Sequence, residues 1–154
     1  MERFKLYLDI DGVVLRSTLP SAWNAGWQVA PLASEFLGWA ISLHEPVWLT
    51  ARDMIGTGEG IASALSSALG ASDALITLAS KIPVQGWVGT KSNAIDFSTD
   101  FLWLDDCPRS EDLITLEIQG CVGRWIEVNT DINPDDLARA MSVVDGLATS
   151  QKFS

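Results

Sequence analysis

Two carboxylates stand two residues apart in Asp9-Ile10-Asp11-Gly12-Val13-Val14, directly after a compact apolar run over residues 4–8. On an extended chain that spacing puts both acids on one side, roughly 6–7 Å apart. Like charges this close raise each other's pKa unless a cation offsets them, and an oxygen-only donor set suits Mg²⁺. Alone, the pair would read as a solvated turn. Three further polar sites follow apolar runs or short polar stretches. Thr50 ends Pro46-Val47-Trp48-Leu49, and its hydroxyl can donate to an anionic oxygen; Ala51 and Arg52 come next. Lys91 in Gly89-Thr90-Lys91 offers an ammonium. Asp105-Asp106, after Phe101-Leu102-Trp103-Leu104, offers further oxygen ligands or a cap for the following helix. A strand-end Thr or an exposed Lys is individually ordinary, so the case rests on the set.

The elements that must position this set can be read from the apolar pattern. The runs over residues 4–8, 46–49 and 101–104 are almost continuously apolar, the mark of strands covered on both faces, hence of a parallel sheet with helices between its strands. After Pro31, residues Leu32, Phe36, Leu37, Ala40 and Ile41 recur at helical spacing. A second helix is expected from about Gly58 to Leu69, with Ile61, Leu65, Ala68 and Leu69 on one face and Gly70 as its stop. Asn133 as N-cap, Pro134 at the first helical position and Asp135-Asp136 in the first turn introduce a third, carrying Leu137, Met141, Val144 and Leu147. The expected fold is therefore α/β, a doubly wound, Rossmann-like three-layer sandwich with a mainly parallel sheet. Such folds collect ligands beyond the carboxyl ends of their strands. The Gly56-Thr57-Gly58-Glu59-Gly60 stretch reads as a loop entering a helix, and no Gly-Lys-Ser/Thr follows to make a P-loop.

Composition limits the partners. The 154 residues suit one domain, 1–154, and 47% hydrophobic residues with seven Trp suit a packed core. Ten basic against twenty acidic residues leave a net charge of −10, which opposes strong non-specific binding to nucleic acid or to an anionic membrane. Cys107 and Cys121 are too few for a disulfide framework or a four-ligand zinc site. No stretch has the length of a membrane span, and the first residues lack a secretory h-region, so the expectation is a cytoplasmic protein that uses no membrane.

Taken in order, Asp9-x-Asp11-Gly12, Thr50, Lys91 and Asp105-Asp106 resemble the four motifs of the haloacid dehalogenase (HAD) superfamily of phosphohydrolases, over roughly residues 4–110. Leu8-Asp9-Ile10-Asp11-Gly12-Val13, Trp48-Leu49-Thr50-Ala51, Lys91 with Ala94-Ile95, and Trp103-Leu104-Asp105-Asp106 are similar to a capless bacterial branch that includes the phosphatase domains of RNA-repair proteins. That branch tends to carry Trp where this chain has Arg52. Cys107-Pro108 is also similar to the Asp-Asn-Ser-Pro turn of carboxy-terminal-domain phosphatases. The resemblance implies a Mg²⁺-dependent phosphomonoesterase working through an aspartyl-phosphate on Asp9. Asp11 would be the general acid and base, and Thr50 and Lys91 would hold the phosphoryl oxygens, with Ala51 and Arg52 beside them in the substrate site. The metal would be held by Asp9, the carbonyl of Asp11 and Asp106, with Asp105 orienting Lys91 or a metal-bound water.

Only about forty residues separate Asp9 from Thr50 and Thr50 from Lys91, which leaves no room for a large cap; residues 13–30 can form at most a small loop or flap. An open site admits the end of a macromolecule, which favours a nucleic-acid end or a phosphoprotein as the phosphorylated substrate and leaves a small metabolite open. Within that loop Arg16, Trp23, Asn24 and Trp27 could stack on a base or touch a sugar phosphate, although core packing is the better reading for the Trp pair. Arg52 and Arg109 lie just past motif tips, where a guanidinium either binds a second phosphate or stays solvated. His44 reads as a helix-end residue, Cys121 as core, and Cys107 as a neighbour of the site with no chemistry required of it. Two alternatives remain. One is a receiver-like phosphoacceptor domain, which orders its acids and its Thr differently along the chain; the other is a catalytically idle binding module of the same fold.

Overall fold

The structure is a computed structural model that describes residues 2–17 and 26–150. Trp23 and Asn24 lie outside the described residues. Strand β1 (Lys5–Leu8) is followed by a two-stranded antiparallel hairpin, β2 (Leu15–Ser17) and β3 (Trp27–Val29), then helix α1 (Ala33–Leu43) and β4 (Glu45–Trp48). Helices α2 (Glu59–Ser66) and α3 (Asp73–Ser80) precede β5 (Phe101–Asp105), and α4 (Ser110–Ile118), β6 (Trp125–Glu127) and α5 (Asp136–Ser150) complete the described elements. The sheet runs β4-β1-β5-β6, and every pairing in it is parallel.

Both faces of the sheet are covered, as its apolar strands require. Alternation along β1 sends Leu6 and Leu8 to one face and Tyr7 to the other; β5 sends Leu102 and Leu104 to the first, Phe101 and Trp103 to the second. The first face packs against α1 through Phe36, Leu37 and Ala40, against α2 and α3 through Ile61, Leu65 and Leu75, and against α5 through Leu137 and Val144. The second is closed by Trp87, Ile95 and Leu116 of α4. Each fully buried Leu or Phe here contributes about 1.5–3 kcal/mol, so most of the stability resides in these two layers of side chains. This is an α/β architecture compatible with a Rossmann-like sandwich. Among the described residues, no helix is long and apolar enough to cross a membrane.

Some expected boundaries differ from the structure. The second helix ends at Ser66, and Leu69, expected on its apolar face, is 64% exposed. Leu69 has a different job: its N–H donates to the Trp27 carbonyl and its carbonyl accepts from Val29 N–H, so it pairs with the hairpin by backbone. A side chain serving a bridge of this kind need not face the core. The last helix becomes regular only at Asp136; Asn133 Oδ1 still accepts from Asp135 N–H as a cap does, with a tight turn between cap and helix. Helix α3, absent from the sequence expectation, starts from Ser72, whose hydroxyl accepts from Leu75 N–H.

Candidate active site

The register of the sheet carries the polar tips to one edge. Leu8 lies opposite both Trp48 and Leu104, so the next residues of β1 and β5, Asp9 and Asp105, emerge side by side, with Thr50 two residues past the end of β4. Backbone bonds continue past the strands: Asp9 N–H donates to the Leu104 carbonyl at 3.1 Å and Leu49 N–H to the Leu8 carbonyl at 2.8 Å.

Asp9, Asp105 and Asp106 each present an oxygen within 4.8 Å of the others. Lys91, at the start of a short 3₁₀ turn over Lys91–Ala94, reaches between two of them: its Nζ is 3.1 Å from Asp9 Oδ2 and 2.7 Å from Asp105 Oδ2. The remaining oxygens are also engaged, Asp9 Oδ1 accepting from Ile10 N–H and Asp105 Oδ1 from Cys107 N–H. Asp9 and Asp105 are 6% and 1% exposed, so the charges meet away from bulk water. Burial, then the neighbouring Asp105 charge, pushes the Asp9 carboxyl up to about 6 against the opposing pull of Lys91; the same two causes push Asp106 up to about 7. Burial alone would lower the Lys91 ammonium, but Asp9 and Asp105 together hold it above its ordinary value. One lysine therefore does not neutralise three acids. A cluster of oxygen donors this close, with two carboxyls driven toward protonation, has the chemistry of a site for a hard divalent cation.

Asp106 reaches the cluster because position 12 is glycine. Gly12 has φ +78°, and a Cβ there would stand 2.5 Å from Asp106 Oδ2. The turn is braced from the far end of the chain: Thr130 N–H donates to the Gly12 carbonyl at 2.8 Å, and the Thr130 carbonyl accepts from Arg16 Nε.

Asp11 stands apart from the three-carboxylate cluster. Its carboxylate is gripped by Arg52, with Nε 3.0 and 2.9 Å from the two oxygens and an Nη2 at 2.9 Å from Oδ1. The Arg52 guanidinium in turn lies 5.1 Å from the Trp27 ring centroid, which ties motif tip, acid and hairpin together. Thr50 is buried; its Oγ1 accepts from Arg52 N–H and its carbonyl from Trp87 Nε1. Ala51 opens the 3₁₀ turn Ala51–Asp53 and is exposed.

Two buried acids that hold this arrangement escaped the sequence reading. Asp53 accepts from the N–H groups of Gly56, Thr57 and Gly60 and so shapes the loop between Thr50 and α2; burial would raise its carboxyl, but these bonds outweigh it and hold it below the usual range. Its signal was the Asp placed three and four residues before Gly56-Thr57, a side-chain-to-backbone turn pattern. Asp112 accepts from Ser92 N–H and Arg109 N–H, fastening the Lys91 turn to the start of α4; Asp at that position after Arg109 has capping-box spacing. His44 is a helix-end residue, as expected: it is buried at the end of α1, with Nδ1 accepting from Phe4 N–H. Cys121 is half-buried against the second face and Cys107 is exposed beside the site. Compared with models of known protein families and with curated proteins, the sequence matches none.

Proposed function

We propose that this chain is a phosphomonoesterase of the haloacid dehalogenase type that works through an aspartyl-phosphate on Asp9. The observation that carries the reading is the Lys91 ammonium set between Asp9 and Asp105, with Asp106 completing a three-carboxylate cluster at the carboxyl edge of a parallel sheet. A nucleophile, a cation for phosphoryl oxygens and a ligand set for a metal are what phosphoryl transfer asks of a protein.

Asp9, Asp106 and the Asp11 carbonyl would hold Mg²⁺, with Asp105 alongside; bound there, the ion supplies charge neutralisation for the acids and for the phosphoryl oxygens. In the first step an Asp9 carboxylate oxygen bonds to phosphorus as the bond from phosphorus to the leaving oxygen breaks, and Asp11 gives that oxygen its proton. In the second, Asp11 takes a proton from water, whose oxygen attacks phosphorus and displaces Asp9. Lys91 and the Thr50 hydroxyl stabilise the charge spread over the phosphoryl oxygens. Arg52 sets the position of Asp11, which must exchange part of that guanidinium grip to reach the leaving oxygen. Among the described residues the hairpin β2–β3 is a small cover rather than a large cap, so nucleic-acid ends, phosphoproteins and small metabolites all stay within the substrate class. The test is hydrolysis of p-nitrophenyl phosphate with and without Mg²⁺. Turnover that needs the metal and disappears in Asp9→Asn is expected; an Asp9→Asn variant as active as the parent would remove the reading.

A further inference from the structure

Among the described cations near the site, Lys91, Arg52 and Arg109 differ in what they already hold. Lys91 is committed to Asp9 and Asp105, and Arg52 to Asp11. Among the described residues no carboxylate pairs with the Arg109 guanidinium. Its contacts are a long bond from Nη1 to the Gly89 carbonyl, 3.3 Å, and the face of Trp87, 5.9 Å from the ring centroid. In a chain of net charge −10, an arginine left without an acid beside a cluster of acids is conspicuous.

Arg109 also forms a wall of a cavity. A hollow of about 140 Å³ is lined by Ala51, Trp87, Lys91, Cys107, Pro108, Arg109 and Asp112, so it opens against Lys91 and the Thr50 turn themselves. Its size decides what it can take. Pockets that enclose a whole metabolite run to roughly 300–1,000 Å³, whereas 140 Å³ has room for about four or five water molecules. One oxyanion-sized group fits. The acid in the wall, Asp112, is 1% exposed and turns both oxygens to the N–H groups of Ser92 and Arg109, which leaves the Arg109 guanidinium and the Lys91 ammonium as the charges in the wall.

We infer that this hollow is a second anion subsite, in which Arg109 holds a phosphate or phosphodiester carried by the same substrate whose phosphomonoester is cleaved at Asp9. The inference rests on the phosphatase reading and narrows its substrates to molecules bearing two nearby phosphates. Both a bisphosphorylated metabolite and the terminal nucleotides of a nucleic acid have this chemistry. An electronegative protein would hold either by local contacts rather than by its overall field.

The experiment measures binding rather than turnover, in the Asp9→Asn protein with Mg²⁺, by calorimetry. Its arms pair fructose 1,6-bisphosphate with fructose 6-phosphate, and a nucleoside 3′,5′-bisphosphate with its 3′- and 5′-monophosphates. In at least one arm the bisphosphate should bind about ten-fold tighter than its monophosphates, the size of one solvent-exposed charge-assisted contact. The arm that responds tells sugar from nucleotide. Adding Arg109→Gln should bring that ratio close to one, and Arg109→Lys should keep part of it. Equal binding of mono- and bisphosphates in both arms, or a preference that survives Arg109→Gln, overturns the subsite. Loss of the phosphatase reading would show elsewhere, as absence of Asp9-dependent p-nitrophenyl phosphate hydrolysis.

Discussion

Lys91→Met would remove a cation shared by two buried acids, and the structure sets both the size and the pH dependence of the damage. On sequence alone Lys91 reads as an ammonium in a short polar stretch, placed to hold phosphoryl oxygens. In the structure its side chain is only 13% exposed and bridges Asp9 and Asp105, so the change leaves buried carboxylates uncompensated. Breaking a buried pair from one side costs about 3–5 kcal/mol. The upper part of that range applies only while the acids are ionised. Asp9 already has its carboxyl at about 6 with Lys91 present, and Lys91 acts to lower it, so without the lysine Asp9 takes up a proton at still higher pH. A carboxyl raised in the folded state binds more protons there than in the unfolded chain, and stability then falls as pH rises from about 4 through the folded value. The variant should therefore be far weaker than the parent at pH 8 and closer to it at pH 5. For a chain of this length 1 kcal/mol moves Tm by about 2–4 °C, which gives a loss of about 6–20 °C at pH 8, measured by thermal denaturation in metal-free buffer. Adding Asp9→Asn should restore part of it. A Lys91→Met protein as stable as the parent at pH 8 would refute the account of the cluster's charges.

Three other outcomes follow from single contacts. Gly12→Ala places a Cβ against Asp106 and a non-glycine residue at φ +78°, a cost of about 1–2 kcal/mol from the backbone alone; denaturant unfolding should show at least that loss, and phosphatase rate should fall further than stability does. Arg52→Gln releases Asp11 from its guanidinium, so kcat should drop about ten-fold and the pH–rate profile should change shape, whereas a pure packing defect would leave the profile unmoved. Burial lowers the His44 imidazole below its ordinary 6.5, with Arg3 adding to this and Asp145 opposing it, so the stability it confers is complete above pH 6.5 and is lost as pH falls through the folded value; His44→Asn, which keeps an acceptor for Phe4 N–H, should flatten that acid limb in urea titrations.

The parallel sheet was legible because residues 4–8, 46–49 and 101–104 are short runs, apolar nearly throughout, the composition of strands buried on both faces. The polar tips were legible for the same reason, since each interrupts an apolar run. What could not be read was pairing among the tips. Spacing puts Asp9 and Asp11 together, yet the turn at Gly12 leaves Asp9 with Asp105 and Asp106 and hands Asp11 to Arg52, a contact made across forty-one residues. The buried acids Asp53 and Asp112 look like any loop or helix-entry acid until the N–H groups they collect are known. Leu69 misleads in the opposite sense: its period fits the helix, but its backbone is taken by the hairpin.

The most direct measurement is rapid quenching of the Mg²⁺-loaded protein with a phosphomonoester, followed by mass spectrometry of its peptides. A single phosphoryl group should be found on the peptide containing Asp9, should form and decay within turnover, and should be removed by hydroxylamine. Steady hydrolysis with no phosphoryl group on Asp9 at any time would contradict this.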